Sequence, residues 1–181
     1  MNITTPITYD KIKNLKAGDT VTLSGVIYTG RDAAHKRMCA SLEKGEELPF
    51  HVEGQVIYYV GPCPAKEGCV IGSCGPTTSG RMDKYSPLLI QKGLRAMIGK
   101  GKRGAGVVEA IVKYGGIYFG AIGGAGALIA KHIIKSEVVA YDDLGTEAVR
   151  RLEVENLPLT VIIDTEGNDL YEISRNKYRE I

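Results

Sequence analysis

The stretch GPTTSGRMDKY, residues 75–85, places the hydroxyls of Thr77 and Thr78, the guanidinium of Arg81 and a carboxylate behind a Gly-Pro pair. Few of these side chains are apolar enough to bury. The stretch is either a solvated loop built from ordinary turn residues or a loop whose polar groups face a bound molecule. The choice between the two depends on what the rest of the chain places beside it.

Two further segments carry functional groups next to predicted strands. Arg31, Asp32 and His35 follow a strand predicted over residues 19–30, and Lys100 lies between glycines in IGKGKRG. In α/β proteins, ligands bind where strand ends feed helix starts, because helix N-termini offer free backbone amides. Two arginines and a lysine suit a dicarboxylate, since a guanidinium can bind a carboxylate through two parallel hydrogen bonds. The candidate site residues are Arg31, Asp32, His35, Thr77, Thr78, Arg81 and Lys100.

Each candidate also has a purely structural interpretation. Arg31 and Asp32 could form a surface ion pair, and His35 could be a satisfied core histidine. Lys100 could belong to a solvated basic run that ends at Arg103. Spacing alone leaves both interpretations open. A nucleoside triphosphatase loop is excluded, because the residue after Lys100 is a glycine and not the required Ser or Thr.

Strands and helices are predicted to alternate around these segments. A strand over 19–30 should bulge at residues 24–25, and Asp32 should cap the helix that follows, which Gly45 ends. A second strand is expected over 55–60, ending at a Gly-Pro pair. Further helices are predicted over 86–92, 104–114, 125–133 and 146–156. Further strands are predicted over 94–99, 117–124, 136–143, 157–164 and 169–172. A D-x-x-G-N turn is predicted at 164–168. This order predicts a layered α/β fold in a single domain over residues 1–181.

The composition is that of a soluble globular protein, with 44% hydrophobic and 24% charged residues among 181. A net charge of +2 is too small to favour nucleic acid or an anionic membrane as a partner. The N-terminus lacks a secretory pattern, so a cytoplasmic location is expected. The most apolar segment, residues 115–130, is shorter than the roughly 20 residues of a membrane span and is interpreted as buried core.

Three of the four cysteines, Cys63, Cys69 and Cys74, lie close together in CPAKEGCVIGSC. Their gaps are wider than the Cys-x-x-Cys spacing usual for zinc and iron-sulfur sites, and no second cluster follows. We interpret them, with Cys39, as buried or loop thiols, and no metal site is expected in this chain.

Successive blocks of the sequence resemble a known family. The blocks are SGVIYTGRDAAHKR, GPTTSGRMDKY, IGKGKR, GGAGALIA and LGTEAVRRLEVENLP followed by IIDTEGNDLY. They are similar to the β subunit of class I, iron-sulfur-dependent fumarate hydratases and of the related L-tartrate dehydratases, over about residues 5–171. In single-chain members this region is the C-terminal domain. The resemblance implies a swivelling β/β/α fold.

The same resemblance implies that the chain is half of an enzyme. The 4Fe-4S cluster would be carried by a partner α subunit, where it acts as a Lewis acid, and none would be bound by this chain. Two α and two β chains are the implied assembly, and an isolated β chain could form a homodimer through apolar surface meant for its partner. The implied reaction is the reversible hydration of fumarate to L-malate.

The resemblance also implies a role for each site residue. Thr77 corresponds to the base at the substrate carbon, activated by a carboxylate of the partner. Arg31, Arg81 and Lys100 correspond to residues that hold the substrate carboxylates. The supporting residues are Asp32, His35 and Thr78. Where single-chain members have K-G-N, this chain has Lys102 in place of the asparagine. The alternatives are an L-tartrate dehydratase β subunit and a non-catalytic module that binds a dicarboxylate.

Overall fold

A computed structural model describes residues 1–179, whose strands form one mixed sheet. The strands are β1 (Asn2–Thr4), β2 (Thr20–Thr29), β3 (Val56–Tyr58), β4 (Ala96–Gly99), β5 (Ile117–Gly120), β6 (Ile133–Ala140) and β7 (Val149–Ile163). The helices are α1 (Tyr9–Ile12), α2 (Asp32–Glu43), α3 (Ser86–Gln91), α4 (Ala105–Tyr114), α5 (Gly126–Ala130) and α6 (Leu170–Tyr178), with 3₁₀ turns at Ser79–Met82 and Asp142–Glu147. This mixture confirms the predicted α/β class.

The strands β1 to β5 lie side by side in chain order and run parallel. The long strand β7 runs antiparallel to β2, β5 and β6. Because β7 hydrogen-bonds both β2 and β5, the pairing closes a ring of β2, β3, β4, β5 and β7. The carboxyl ends of β2, β3 and β4 therefore lie next to one another at one edge of the ring.

Successive residues of the central strands face two different cores, because side chains alternate across a strand. In the first core, the strand residues Val56, Tyr58, Ile98, Phe119 and Leu152 pack together. In the second, the strand residues Ile57, Met97 and Tyr118 pack with the helix residues Met38, Leu89 and Ile111. Both faces of the parallel strands are thus buried, as is usual when helices cover a parallel sheet.

Several local predictions are confirmed. The register of β2 against β7 shifts between Leu23 and Gly25, and Gly25 has a φ of +111°, which a residue with a Cβ rarely adopts. The predicted turn at 164–168 forms around Asp164, whose carboxylate accepts hydrogen bonds from the amides of Glu166 and Asn168.

The helix predicted over residues 146–156 is wrong, because the chain enters β7 at Val149. The buried residues Val149 and Leu152 fit a helical stripe, whereas Leu152 and Val154 alternate as in a strand, and pairing with β2 and β6 on both sides decides for the strand. The terminal strand predicted over 169–172 is also wrong. Asp169 caps α6 by accepting a 2.8 Å hydrogen bond from the amide of Tyr171.

The apolar segment 115–130 is only partly buried core. Strand β5 within it is buried, but Ile122 and Leu128 are 77% and 61% exposed. Within residues 1–179, every helix is too short or too polar to cross a bilayer.

Candidate active site

Arg31 lies between β2 and α2 and is held by Glu147, a residue that sequence reasoning did not select. The Nη2 atom of Arg31 lies 3.3 Å from Oε1 of Glu147, and both side chains are less than a quarter exposed. The second carboxylate oxygen of Glu147 accepts a 3.0 Å hydrogen bond from the amide of Ala33. One carboxylate therefore fixes both the arginine and the first turn of α2. A Cβ at Gly61 would lie 2.8 Å from Nη1 of Arg31, so a larger residue there would displace the guanidinium.

Asp32 is the first residue of α2, and Arg31 occupies the N-cap position, so the prediction that Asp32 caps the helix is wrong. The Asp32 carboxylate instead forms a two-point ion pair with Arg81, with Nε 3.0 Å from Oδ1 and Nη2 2.8 Å from Oδ2. The Asp32 carboxylate thus pairs with the guanidinium of the loop instead of capping the helix. The pair joins the start of α2 to the loop that the sequence singled out.

Thr77 and Lys100 lie beside each other although 23 positions separate them. The amide of Thr77 donates a 2.7 Å hydrogen bond to the carbonyl of Tyr59, and its own carbonyl accepts a 3.3 Å bond from the amide of Lys100. The carbonyl of Lys100 accepts a 2.8 Å bond from the amide of Ser79. Thr78 and Lys100 form an isolated parallel bridge. Residues 77–79 therefore extend the sheet past the ends of β3 and β4, with Thr77 partly buried and Lys100 exposed.

His35 is fully buried on α2 and contacts the backbone of Arg31. Its Nδ1 lies 2.9 Å from the carbonyl oxygen of Arg31, which can only accept, so Nδ1 carries the proton. The other ring nitrogen, Nε2, is buried and has no hydrogen-bond partner within residues 1–179. Burial lowers the pKa of His35 to about 4, against the raising effect of the bond to Arg31. The imidazole is therefore neutral at pH 7 and donates a hydrogen bond to the carbonyl of Arg31.

Arg103 departs from the interpretation of residues 100–103 as a solvated basic run. Its side chain is 0% exposed, and its Nε lies 2.7 Å from Oδ1 of Asp83. Burial tends to lower the pKa of Arg103, but Tyr59 and Asp83 outweigh it, and the pKa lies above its usual value. Lys102, by contrast, is half-exposed and pairs with Glu172. Nothing in the spacing of the basic residues distinguishes the buried arginine from its exposed neighbour.

The cysteines do not converge with the candidate site residues. Cys63 and Cys69 are exposed and line a cavity of about 550 Å³, whose lining includes none of the seven candidate residues. Cys39 and Cys74 are buried, and burial raises the pKa of Cys74 to about 12. No group of three or more His, Cys, Asp or Glu side chains within residues 1–179 is placed to hold a metal ion.

Three cationic side chains and a hydroxyl thus follow the carboxyl ends of β2, β3 and β4. Arg31 and Arg81 each have a carboxylate partner, whereas Lys100 forms no ion pair within the described part of the chain. An anion at this edge would meet one unpaired ammonium and two guanidinium groups already oriented by carboxylates. Such a set can bind two carboxylates and stabilise additional negative charge between them.

Comparison with known proteins identifies the family of this chain. The model of the family described as Fumarase C-terminus matches residues 1–174. The aerobic class I fumarate hydratase of Escherichia coli K12 is 44% identical over 154 residues, which are 84% of this chain and 28% of that protein. The mitochondrial fumarate hydratase 1 of Leishmania major has the same identity and coverage. The chain therefore spans just over a quarter of the length of these relatives.

A relative of similar length comes from Methanocaldococcus jannaschii. This protein, provisionally named L(+)-tartrate dehydratase subunit beta, is 39% identical over 180 residues, which are 96% of this chain and 92% of its own length. Because the family model covers nearly the whole sequence, the chain belongs to the Fumarase C-terminus family.

Proposed function

We propose that this chain is the β subunit of a fumarate hydratase, which hydrates fumarate reversibly to L-malate at a site shared with an α subunit. The proposal rests mainly on the bridge between Thr78 and Lys100, which holds the segment from Thr77 to Arg81 beside the lysine. The ion pair between Asp32 and Arg81 joins the same segment to the start of α2. The family match and the names of the relatives support a hydro-lyase.

Dehydration of malate removes a proton next to a carboxylate and expels hydroxide. As the C–H bond breaks, negative charge grows on the adjacent carboxylate, and the electron pair then forms the double bond while the C–O bond breaks. Arg31, Arg81 and Lys100 are suited to bind the two carboxylates and to stabilise that charge. In the proposal, the oxygen of Thr77 takes the proton. A threonine hydroxyl is too weak a base alone, so a carboxylate of the partner subunit must first accept its proton.

The thiols of this chain do not fit an iron-sulfur cluster of their own. Clusters are held by several cysteine thiolates at once. Cys63 and Cys69 lie exposed on one loop, whereas Cys74 is buried and its raised pKa keeps it a thiol. We therefore assign the 4Fe-4S cluster of the proposed enzyme to the α subunit.

The proposed assembly contains two α and two β chains. An exposed apolar side chain near Lys100 supports coverage of this surface by a second chain. Ile122 is 77% exposed and precedes Gly123, at which an added Cβ would lie 3.8 Å from Nζ of Lys100. An isolated β chain is proposed to dimerise through this kind of surface. The fold is proposed to be a swivelling β/β/α fold in one domain over residues 1–181, in a cytoplasmic enzyme.

A second candidate function is that of an L-tartrate dehydratase β subunit. The relative from M. jannaschii favours it, because this chain covers 92% of that protein and only 28% of the E. coli fumarate hydratase. Tartrate differs from malate by one hydroxyl, which a few pocket groups discriminate, including groups of the α subunit.

The proposed function is tested by anaerobic assays of this chain mixed with its cluster-bearing partner, with each protein alone as control. L-malate and L-tartrate are offered separately. Turnover of malate in the mixture and in neither protein alone is the expected result. Preference for tartrate would move the assignment to the second candidate. No turnover of either substrate, with the cluster intact by its visible absorption, would refute the hydro-lyase and favour a module that only binds dicarboxylates.

A further inference from the structure

The buried guanidinium of Arg103 lies over the ring of Tyr59, with its central carbon 5.3 Å from the ring centroid. Its Nη2 atom also lies 3.4 Å from the hydroxyl of Tyr59. The backbone of Tyr59 holds the proposed catalytic segment, because its carbonyl accepts the 2.7 Å hydrogen bond from the amide of Thr77. Arg103 therefore packs against the residue that fixes Thr77.

The same guanidinium lies 5.0 Å from the ring centroid of Tyr118. The hydroxyl of Tyr118 is 2.9 Å from the carbonyl oxygen of Gly101 and 2.9 Å from Oγ of Ser79. Since the carbonyl can only accept, Tyr118 donates to Gly101 and accepts from Ser79. These two residues flank the Lys100 bridge: the amide of Ser79 bonds the carbonyl of Lys100, and Gly101 follows it.

The polar contacts of Arg103 reach the segment that follows Arg81. Nη2 donates a 2.8 Å hydrogen bond to Oγ of Ser86, and Ser86 in turn donates to the carbonyl of Met82 at 2.9 Å. Nε pairs with Asp83, whose second oxygen accepts a 2.6 Å bond from the amide of Gly104. One buried cation thus connects the segment that carries Thr77 and Arg81 with the segment that carries Lys100.

A buried ion pair is weak evidence of stabilisation, because desolvation opposes the attraction between the charges. Well-packed apolar residues could fill the same space, whereas the planar guanidinium alone provides directed bonds on its edges and stacking on its faces. We propose that Arg103 is a positioning residue, which sets the spacing between the Thr77–Arg81 segment and Lys100 without touching the substrate. This inference rests on the proposed function, in which those residues bind and deprotonate the substrate.

The test compares Arg103→Met with Arg95→Met in the complex with the cluster-bearing partner. Arg95 directly precedes β4, whereas Arg103 follows the other end of that strand. The Nη1 atom of Arg95 donates to the carbonyls of Tyr114 and Gly115 at 2.8 and 2.6 Å. Both variants remove an arginine that packs against the fold. Kinetics are measured well below the lower of the two melting temperatures. Arg103→Met should lower kcat about 100-fold, since small misplacements cost this much, while Arg95→Met should keep kcat and KM within about twofold of the unchanged chain.

Amide hydrogen exchange of the chain gives a readout that does not depend on turnover. The amides of Thr77, Ser79 and Lys100 should exchange about tenfold faster or more in Arg103→Met and at unchanged rates in Arg95→Met. If Arg103→Met does not fold, Arg103→Lys is measured in its place. Lysine keeps the positive charge but lacks the planar guanidinium. Unchanged exchange at these amides, or kcat and KM within about twofold of the unchanged chain, would overturn the inference. If the complex that contains the unchanged chain shows no turnover, the proposed function is refuted. The exchange rates would still decide the role of Arg103.

Discussion

Asp32 and Arg81 face each other across the start of α2 through two contacts, 3.0 Å from Nε to Oδ1 and 2.8 Å from Nη2 to Oδ2. These contacts use Nε and Nη2 of the guanidinium and do not involve Nη1. The Arg81 side chain is 48% exposed, so the ion pair itself contributes no more than about 1 kcal/mol to stability. Its effect should appear in the orientation of Arg81 toward a ligand.

We expect Asp32→Asn to raise KM for the dicarboxylate about tenfold in the complex with the partner. The amide keeps the size of the side chain but loses the charge that fixes the guanidinium. The free energy of unfolding should change by less than about 1 kcal/mol. Steady-state kinetics and urea unfolding measure the two effects separately.

Asp143→Asn is the matched control for Asp32→Asn. Arg37, on the same helix, pairs with Asp143 through two contacts of 2.7 and 2.5 Å. This pair is exposed and contacts none of the candidate site residues, so the variant should keep KM unchanged. Equal changes in KM for both variants would show that Asp32 has no specific role in orienting Arg81.

Thr77→Val should lower kcat at least about 100-fold while leaving assembly with the partner intact. The variant removes the hydroxyl and keeps the backbone bonds of residue 77 to Tyr59 and Lys100. Thr77→Ser keeps a hydroxyl at the same place and should retain most of the turnover. The ratio of the two kcat values, with complex formation followed by size-exclusion chromatography, checks the role. Near-normal kcat in Thr77→Val would exclude Thr77 as the base.

Gly99→Ala should destabilise the chain by about 1–3 kcal/mol through overpacking. An added Cβ at Gly99 would lie 2.0 Å from Oγ of Ser79 and 3.0 Å from the ring of Tyr59. The backbones of these two residues hydrogen-bond Lys100 and Thr77, respectively. Gly106→Ala, in the first turn of α4, meets no atom within 4 Å and should stabilise by up to about 1 kcal/mol. Urea unfolding of the two variants should therefore give shifts of opposite sign. A stable Gly99→Ala chain would contradict the tight packing of Ser79 against β4.

The stability of the fold should depend on pH through His35. Burial lowers the pKa of His35 from 6.5 to about 4, so the unfolded chain binds this proton more tightly than the folded one. The contribution of neutral His35 is therefore complete above pH 6.5 and is lost as the pH falls from about 6.5 to about 4, up to ~3 kcal/mol. Arg103 and Asp32 are the charged groups that act on this imidazole.

His35→Gln should flatten the dependence of the free energy of unfolding on pH between about 6.5 and 4. His51→Gln removes an exposed histidine and serves as the control. Carboxylates titrate over the same range in all three chains, so the difference from the unchanged chain isolates His35. Parallel curves for His35→Gln and the unchanged chain would show that His35 is not neutral and buried in solution.

The sequence by itself determined the class of fold, the bulged strand at residues 24–25 and the turn at 164–168, and it suggested the candidate site residues. These features depend on local properties: alternation of apolar residues, glycine at positive φ, and polar groups that follow strands. The family resemblance was confirmed as well, because it rests on blocks of residues that the chain carries in order. Local signals failed where two structures satisfy the same pattern, as at residues 146–156.

Only the tertiary structure decided which polar groups have partners. Asp32 pairs with Arg81 across 49 positions, and Glu147 reaches Arg31 across 116, so neither contact leaves a local signal. Arg103 and Lys102 have the same charge and adjacent positions, yet the first is buried and the second exposed. The physical reason is that burial and pairing of a charge depend on which strands close the ring, and β7 closes it from a distant part of the chain.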